Sequence, residues 1–211
     1  ALAKVLAPNV ALLSTTKGIR SEGFQLMSQI IGQRLPSHPV GVLSGPNLAH
    51  EIATRHLTAS VVASQSPQVR QLAREAFATK YFRLYSSEDL ISVELGGALK
   101  NIYAIAAGLA DGLGVGQNTK ALLITRALAE MSRLSAHMGG NPLSFLGLAG
   151  VGDLDVTSVS PLSRNFRIGQ ALAQGHSLES AESNLGQVAE GVNTLRGVYE
   201  QCQRAGIAIP N

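Results

Sequence analysis

Tryptophan is absent from the 211 residues, cysteine occurs once, and aromatic side chains make up only 4% of the chain. With so few rings there is little to stack on bases, and the 17 basic residues are scattered rather than clustered, so no nucleic-acid partner is expected. The lone Cys202 cannot close an internal disulfide. That suits a reducing compartment, and the residue reads as a small core side chain on an amphipathic segment. No run of about 18 apolar residues and no basic, apolar leader is found, so neither a membrane span nor a signal peptide is expected and a cytoplasmic protein is the default. The histidines, at 38, 50, 56, 137 and 176, show no metal-ligand spacing, and there is no internal repeat.

What is present describes an ordinary globular chain, 45% hydrophobic and 15% charged, long enough to bury one large or two small cores. The net charge of +3 fits a small anionic substrate without requiring one. Strand and helix patterns alternate through the first 88 residues. Strands are expected at Val10–Ser14, Val40–Ser44, Thr58–Ala63 and Tyr81–Tyr85, with helical periodicity at Glu22–Gly32, Asn47–Ala53 and Pro67–Ala78. This spacing predicts βαβ units and a parallel sheet covered by helices. From residue 89 onward the pattern is helical to the end. The fold expected is therefore α/β plus all-α, with a partial Rossmann-type sheet in residues 1–88 and a helical unit in 89–211.

The stretch Glu94–Arg126 reads as two helices joined by the glycine-rich Asp111–Gly116 loop, with Asn118 as cap of the second. On the first helix Leu95, Leu99, Ile102, Ala106 and Leu109 form an apolar stripe. The neighbours of Lys100 at helical steps are Gly96, Gly97, Tyr103, Ala104 and Ala107. A lysine on such a face either snorkels to water along small residues or is buried, with its pKa lowered toward use as a general base. On the second helix Ile124, Ala127, Met131, Leu134 and Met138 are expected inward, and Arg126, Glu130, Arg133 and His137 outward. A phosphate-loop reading of the glycine run fails, because no Gly-Lys-Ser/Thr follows a strand at the required spacing.

Ligands of such sheets sit beyond the carboxyl ends of the strands, where Lys17-Gly18 and Gly45-Pro46-Asn47 fall, although these are also ordinary turn residues. Asp153 could be a solvated turn residue or an acidic partner for Lys100. Ser160 and Pro161 read as a helix start, which places Ser163, Arg164 and Asn165 in a first turn suited to phosphate. Further on, Gly175 stops a helix, Ser177 caps the next, and Val188 and Glu190 lead into a last helix with Val192, Leu195, Tyr199 and Cys202 on one face.

The runs GGALKN, DGLGVGQNTKALLITR, GVGDL and PLSRN, in that order, resemble the substrate domain of bacterial-type glycerol-3-phosphate dehydrogenases, and the resemblance extends over nearly the whole chain. It implies interconversion of glycerol 3-phosphate and dihydroxyacetone phosphate with NAD or NADP, in service of phospholipid synthesis. By resemblance Lys100 is the acid/base. Lys17, Gly45, Asn47, Asp153, Ser163, Arg164 and Asn165 contact substrate, and Lys17, Ala49, Arg164, Val188 and Glu190 approach the cofactor. Ser158 stands where the related enzymes often have cysteine. Other two-domain dehydrogenases, of the 6-phosphogluconate type, also place a lysine on a helix after the sheet, and a non-catalytic binding remnant is a further alternative. No GxGxxG turn precedes Lys17, so the 211 residues alone are expected to bind dinucleotides poorly. A sheet edge left unpaired would favour a homodimer.

Overall fold

The computed structural model describes residues 4–185 and 190–207. Four strands form the main sheet: β1 (Leu12–Ser14), β4 (Val40–Ser44), β5 (Thr58–Ala63) and β6 (Phe82–Ser87), in the order β1-β4-β5-β6. The pairs β1/β4 and β5/β6 are parallel, but β4/β5 is antiparallel, so the sheet is mixed rather than wholly parallel. The reason lies in the connection. Helix α2 (Ala49–Ala53) has five residues and rises only about 7 Å, too little to carry the chain back along the sheet, so β5 starts from the end where β4 stopped. Between β5 and β6, α3 (Pro67–Phe77) has 11 residues and does make the crossover.

The helix expected from Glu22 begins later. Gly23 and Phe24 both take positive φ, +76° and +48°, closing a turn between the short strands β2 (Ile19–Arg20) and β3 (Gln25–Leu26). Helix α1 then covers Met27–Arg34.

Helix α4 (Leu90–Gly112) is the axis of the remainder. It starts earlier than the apolar stripe indicates because Asp89 caps it, with Oδ1 accepting the Ser92 N–H at 3.0 Å. Around it stand α5 (Gln117–His137), α6 (Asp153–Val159), α7 (Arg164–Ala173) and α9 (Glu190–Ala205), with α8 (Leu178–Leu185) packed on α7. By length and composition α4 could cross a membrane, but 67% of its most apolar window is buried inside the fold. Leu95 and Leu99 belong to the main core with Met131, Leu134, Phe145 and Leu154, whereas Leu109 at the far end of the stripe is exposed. The small-residue face is buried as well. At Gly108 and Gly169 helices α4 and α7 cross backbone to backbone: a Cβ on Gly169 would lie 2.0 Å from the Ile105 carbonyl oxygen.

Three side-chain expectations change. Glu130 is buried, because the Tyr103 hydroxyl reaches across from α4 and donates to it at 2.8 Å. Cys202 is a core residue as expected, but Leu195 and Tyr199 are exposed, and Thr194, Val198 and Cys202 face inward with Gly191 and Gly197. The glycines let α9 approach the Asn101 carbonyl and the Ser21 backbone, which rotates the buried face toward them. Gly116, not Asn118, caps α5. Ser177 does cap α8, accepting the Ser180 N–H at 3.2 Å.

Candidate active site

Helix α4 leaves β6 at the sheet end opposite the Gly45 turn and runs back across the face. Ten residues of helix cover about 15 Å, close to the length of a five-residue strand, so Lys100 arrives level with the end of β4. The glycines before it determine what it meets. A Cβ on Gly96 would lie 2.1 Å from the Ala149 carbonyl oxygen, and one on Gly97 would lie 2.7 Å from Ser44 Oγ and 3.3 Å from Lys17 Cγ. These absent side chains admit the 149–153 segment on one side and Lys17 on the other. The tight turn Leu148–Gly152 then delivers Asp153 into α6.

Asp153, only 1% exposed, lies between two lysines. Lys100 Nζ donates to Oδ1 at 2.6 Å, and Lys17 Nζ donates to Oδ2 at 2.6 Å and to the Gly45 carbonyl at 2.7 Å. Lys100 also donates to Thr157 Oγ1 at 2.7 Å, and that hydroxyl in turn donates to the Asp153 carbonyl at 2.6 Å. Two of the three ammonium hydrogens are thereby placed, leaving one position for a ligand. Burial lowers the Lys100 pKa to about 8; Asp153 works against this shift and the second lysine adds to it. The snorkelling alternative is therefore not adopted.

Beside this triad is a hollow of about 230 Å³, lined among others by Lys17, Asn47, Lys100, Ser163, Arg164, Asn165 and Glu190. Ser163, rather than Ser160, caps α7: its Oγ accepts the Phe166 N–H at 3.3 Å, while Ser160 and Pro161 form the preceding turn. Arg164 and Asn165 are thus the first two residues of α7, where amides and dipole favour an anion. Arg164 pairs with Glu190 at 3.5 Å, and Asn101 Nδ2 reaches Glu190 at 3.4 Å. Gly45 contributes its carbonyl beneath the hollow. Ala49 opens α2, exposed and outside the lining, and Val188 lies outside the described residues. Larger hollows, such as one of about 640 Å³ between α2 and α3, hold none of the buried charges.

The sequence reading missed Thr157 and Asn101. Asn101 had no signal beyond adjacency to Lys100. Thr157, four residues after Asp153, is on the same face of α6, and that spacing was the available hint. Ser158, the residue in the cysteine position, is buried with its Oγ unpartnered.

The strand ends of the sheet thus meet a helical unit that carries a buried lysine and a buried aspartate. The chain belongs to the NAD-dependent glycerol-3-phosphate dehydrogenase family: the description of that family's C-terminus matches residues 89–210, and that of its N-terminus matches residues 1–70. It is 56% identical to glycerol-3-phosphate dehydrogenase [NAD(P)+] of Azotobacter vinelandii and 55% identical to that of Pseudomonas putida. Both comparisons cover 100% of this chain, which spans 64% and 63% of those relatives. The crystal structure of glycerol-3-phosphate dehydrogenase from Coxiella burnetii superposes with a TM-score of 0.94 at 37% identity, covering 99% of this chain and 64% of that one.

Proposed function

We propose that the protein interconverts sn-glycerol 3-phosphate and dihydroxyacetone phosphate with NAD or NADP, with Lys100 as the acid/base. The observation that carries this reading is the Lys100–Asp153–Lys17 triad at 2.6 Å on each side, buried beneath a hollow that the start of α7 also lines. In the oxidising direction the neutral Lys100 amine takes the proton of the substrate's C2 hydroxyl. The ammonium so formed is held by Asp153 and Thr157. In the reducing direction the same ammonium gives its proton to the C2 oxygen. Lys17, Ser163, Arg164 and Asn165 hold the phosphate end, and Gly45 and Asn47 shape the strand side. Ser163 uses its oxygen as the cap acceptor and keeps its O–H free to donate.

The residues present fit the reactive end of a dinucleotide. The hollow has room for a small ring beside the substrate but not for a whole dinucleotide, and Arg164 and Glu190 at its rim suit phosphate and hydroxyl groups respectively. When bound, a nicotinamide supplies the hydride acceptor or donor. Two units, residues 1–88 and 89–211, divide this work, the first presenting Lys17 and the Gly45–Asn47 turn and the second the acid/base. A cytoplasmic location and a homodimer accompany the reading.

The test is turnover, in a version of the protein extended to include a GxGxxG nucleotide-binding half, with glycerol 3-phosphate against 6-phosphogluconate and plain glycerol. Activity should be confined to glycerol 3-phosphate, and Lys100→Ala should lower kcat by about 10²- to 10⁴-fold with the circular dichroism spectrum retained. A folded Lys100→Ala protein with near-parental turnover would remove the assignment.

A further inference from the structure

Two asparagines line the hollow, and each has its side-chain oxygen tied back into the protein. Asn165 Oδ1 accepts the Gly191 N–H at 3.1 Å in a buried bond, and Asn47 Oδ1 accepts the Ser60 hydroxyl. A carboxamide held by its oxygen has its NH₂ group left to turn elsewhere, and both residues line the hollow. Ser60 itself is 0% exposed and outside the lining. The Gly45–Asn47 turn nevertheless rests on it: Gly45, at φ +137°, approaches so closely that a Cβ there would lie 3.1 Å from Ser60 Cα.

We propose that Ser60 is a positioning residue that fixes the Asn47 carboxamide as an N–H donor. Together with Asn165 it gives the hollow two oriented neutral donors that select a ligand group offering only acceptor oxygens. The inference rests on the function proposed above, in which that group is the phosphate. An untethered carboxamide can present either its oxygen or its nitrogen, so it accommodates a hydroxyl, which donates or accepts, as readily as a phosphate. With the oxygen held, a phosphate meets N–H groups from both residues. The charges of Lys17 and Arg164 attract any anion, whereas the oriented amides add the requirement for acceptors at defined places.

A double-mutant cycle on the full-length protein tests this. With glycerol 3-phosphate as substrate, Asn47→Ala should raise KM by about 10-fold, the worth of one hydrogen bond to a charged group. Ser60→Ala should raise it by roughly 3- to 10-fold, with kcat moved less than KM in each case. The double variant should be no worse than Asn47→Ala, because Ser60 acts only through Asn47. Effects on KM that multiply, or a Ser60→Ala protein with parental KM, would overturn the proposal. Ser60→Cys keeps the size with a weaker donor and should fall between the parent and Ser60→Ala, which preserves the test if the alanine variant does not fold. A readout independent of turnover is the Asn47 side-chain amide signal in a ¹⁵N-labelled sample, identified by its absence in Asn47→Ala. It should shift and exchange faster in the Ser60 variants. An unmoved signal overturns this inference alone, while a moved signal in a protein inactive on glycerol 3-phosphate supports the tether and overturns the proposed substrate.

Discussion

In the reaction proposed above Lys100 has to be neutral when it accepts a proton and charged when it gives one, and a pKa of about 8 serves both near neutral pH. The directions should respond oppositely to pH. Oxidation of glycerol 3-phosphate needs the free amine, so its kcat/KM should rise through pH 8, while reduction of dihydroxyacetone phosphate should fall there. The same depression appears in stability. Between about 8 and the unfolded value of 10.5 the unfolded chain binds more protons than the folded one, so unfolding free energy rises with pH across that window, and the cost is fully present below it. Comparing the parent with Lys100→Met, rate profiles in both directions and urea titrations at pH 7 and 10 check this; a gap in stability that does not change with pH would contradict it. The lysine was legible because helical spacing exposed its small-residue face and GVGDL supplied a carboxylate. Glu130 was not, because its partner Tyr103 is 27 positions away and nothing local distinguishes a buried glutamate from a solvated one.

Among the elements, the α4–α7 crossing sets the distance between Lys100 and the first turn of α7. Gly169→Ala places a methyl group 2.0 Å from the Ile105 carbonyl oxygen and must push the helices apart. Overpacking of this kind costs about 1–3 kcal/mol. Unfolding in denaturant should register that loss, and KM for the phosphorylated substrate should rise because Arg164 and Asn165 move with α7; unchanged stability would mean that the crossing is looser than its backbone contacts indicate. The extents of β4, β5 and α3 could be read from apolar runs and the Ser-Pro start. The direction of β5 could not, since a strand's side-chain pattern is the same read either way. Only the shortness of α2 carried that information. The starts of α5 and α7 shifted by two and three residues, because the helices are capped at Gly116 and Ser163 rather than at Asn118 and Ser160.

In the whole molecule, Asp153 fastens the sheet to the helices. It takes Lys17 from the turn after β1 and Lys100 from α4, so one carboxylate neutralises charge from both sides. Asp153→Asn would leave the buried Lys100 ammonium and the half-buried Lys17 ammonium without their shared carboxylate, a loss of about 3–5 kcal/mol by analogy with broken buried pairs. Raising the pH relieves part of that loss as Lys100 gives up its proton, so the deficit against the parent should be smaller at pH 9 than at pH 7 in denaturant titrations. A deficit that grows with pH would show that the aspartate's role is not neutralisation. The sequence indicated the Lys100–Asp153 partnership, but it did not show that Lys17 shares the carboxylate, because a contact spanning 136 positions leaves no periodic trace.

The burial of α4 also has a consequence for the order of synthesis. Its 23 residues leave the ribosome before the helices that cover them, and α7 does not begin until Arg164. At roughly 5–20 residues per second, the interval between the end of α4 and the start of α7 lasts on the order of several seconds. Throughout that interval the nascent chain carries a segment apolar enough for a lipid bilayer, interrupted by Glu94, Lys100 and, near its end, Asp111. Lys100, the acid/base of the proposed reaction, is thus also one of the few charges that interrupt the apolar surface of the unfinished chain.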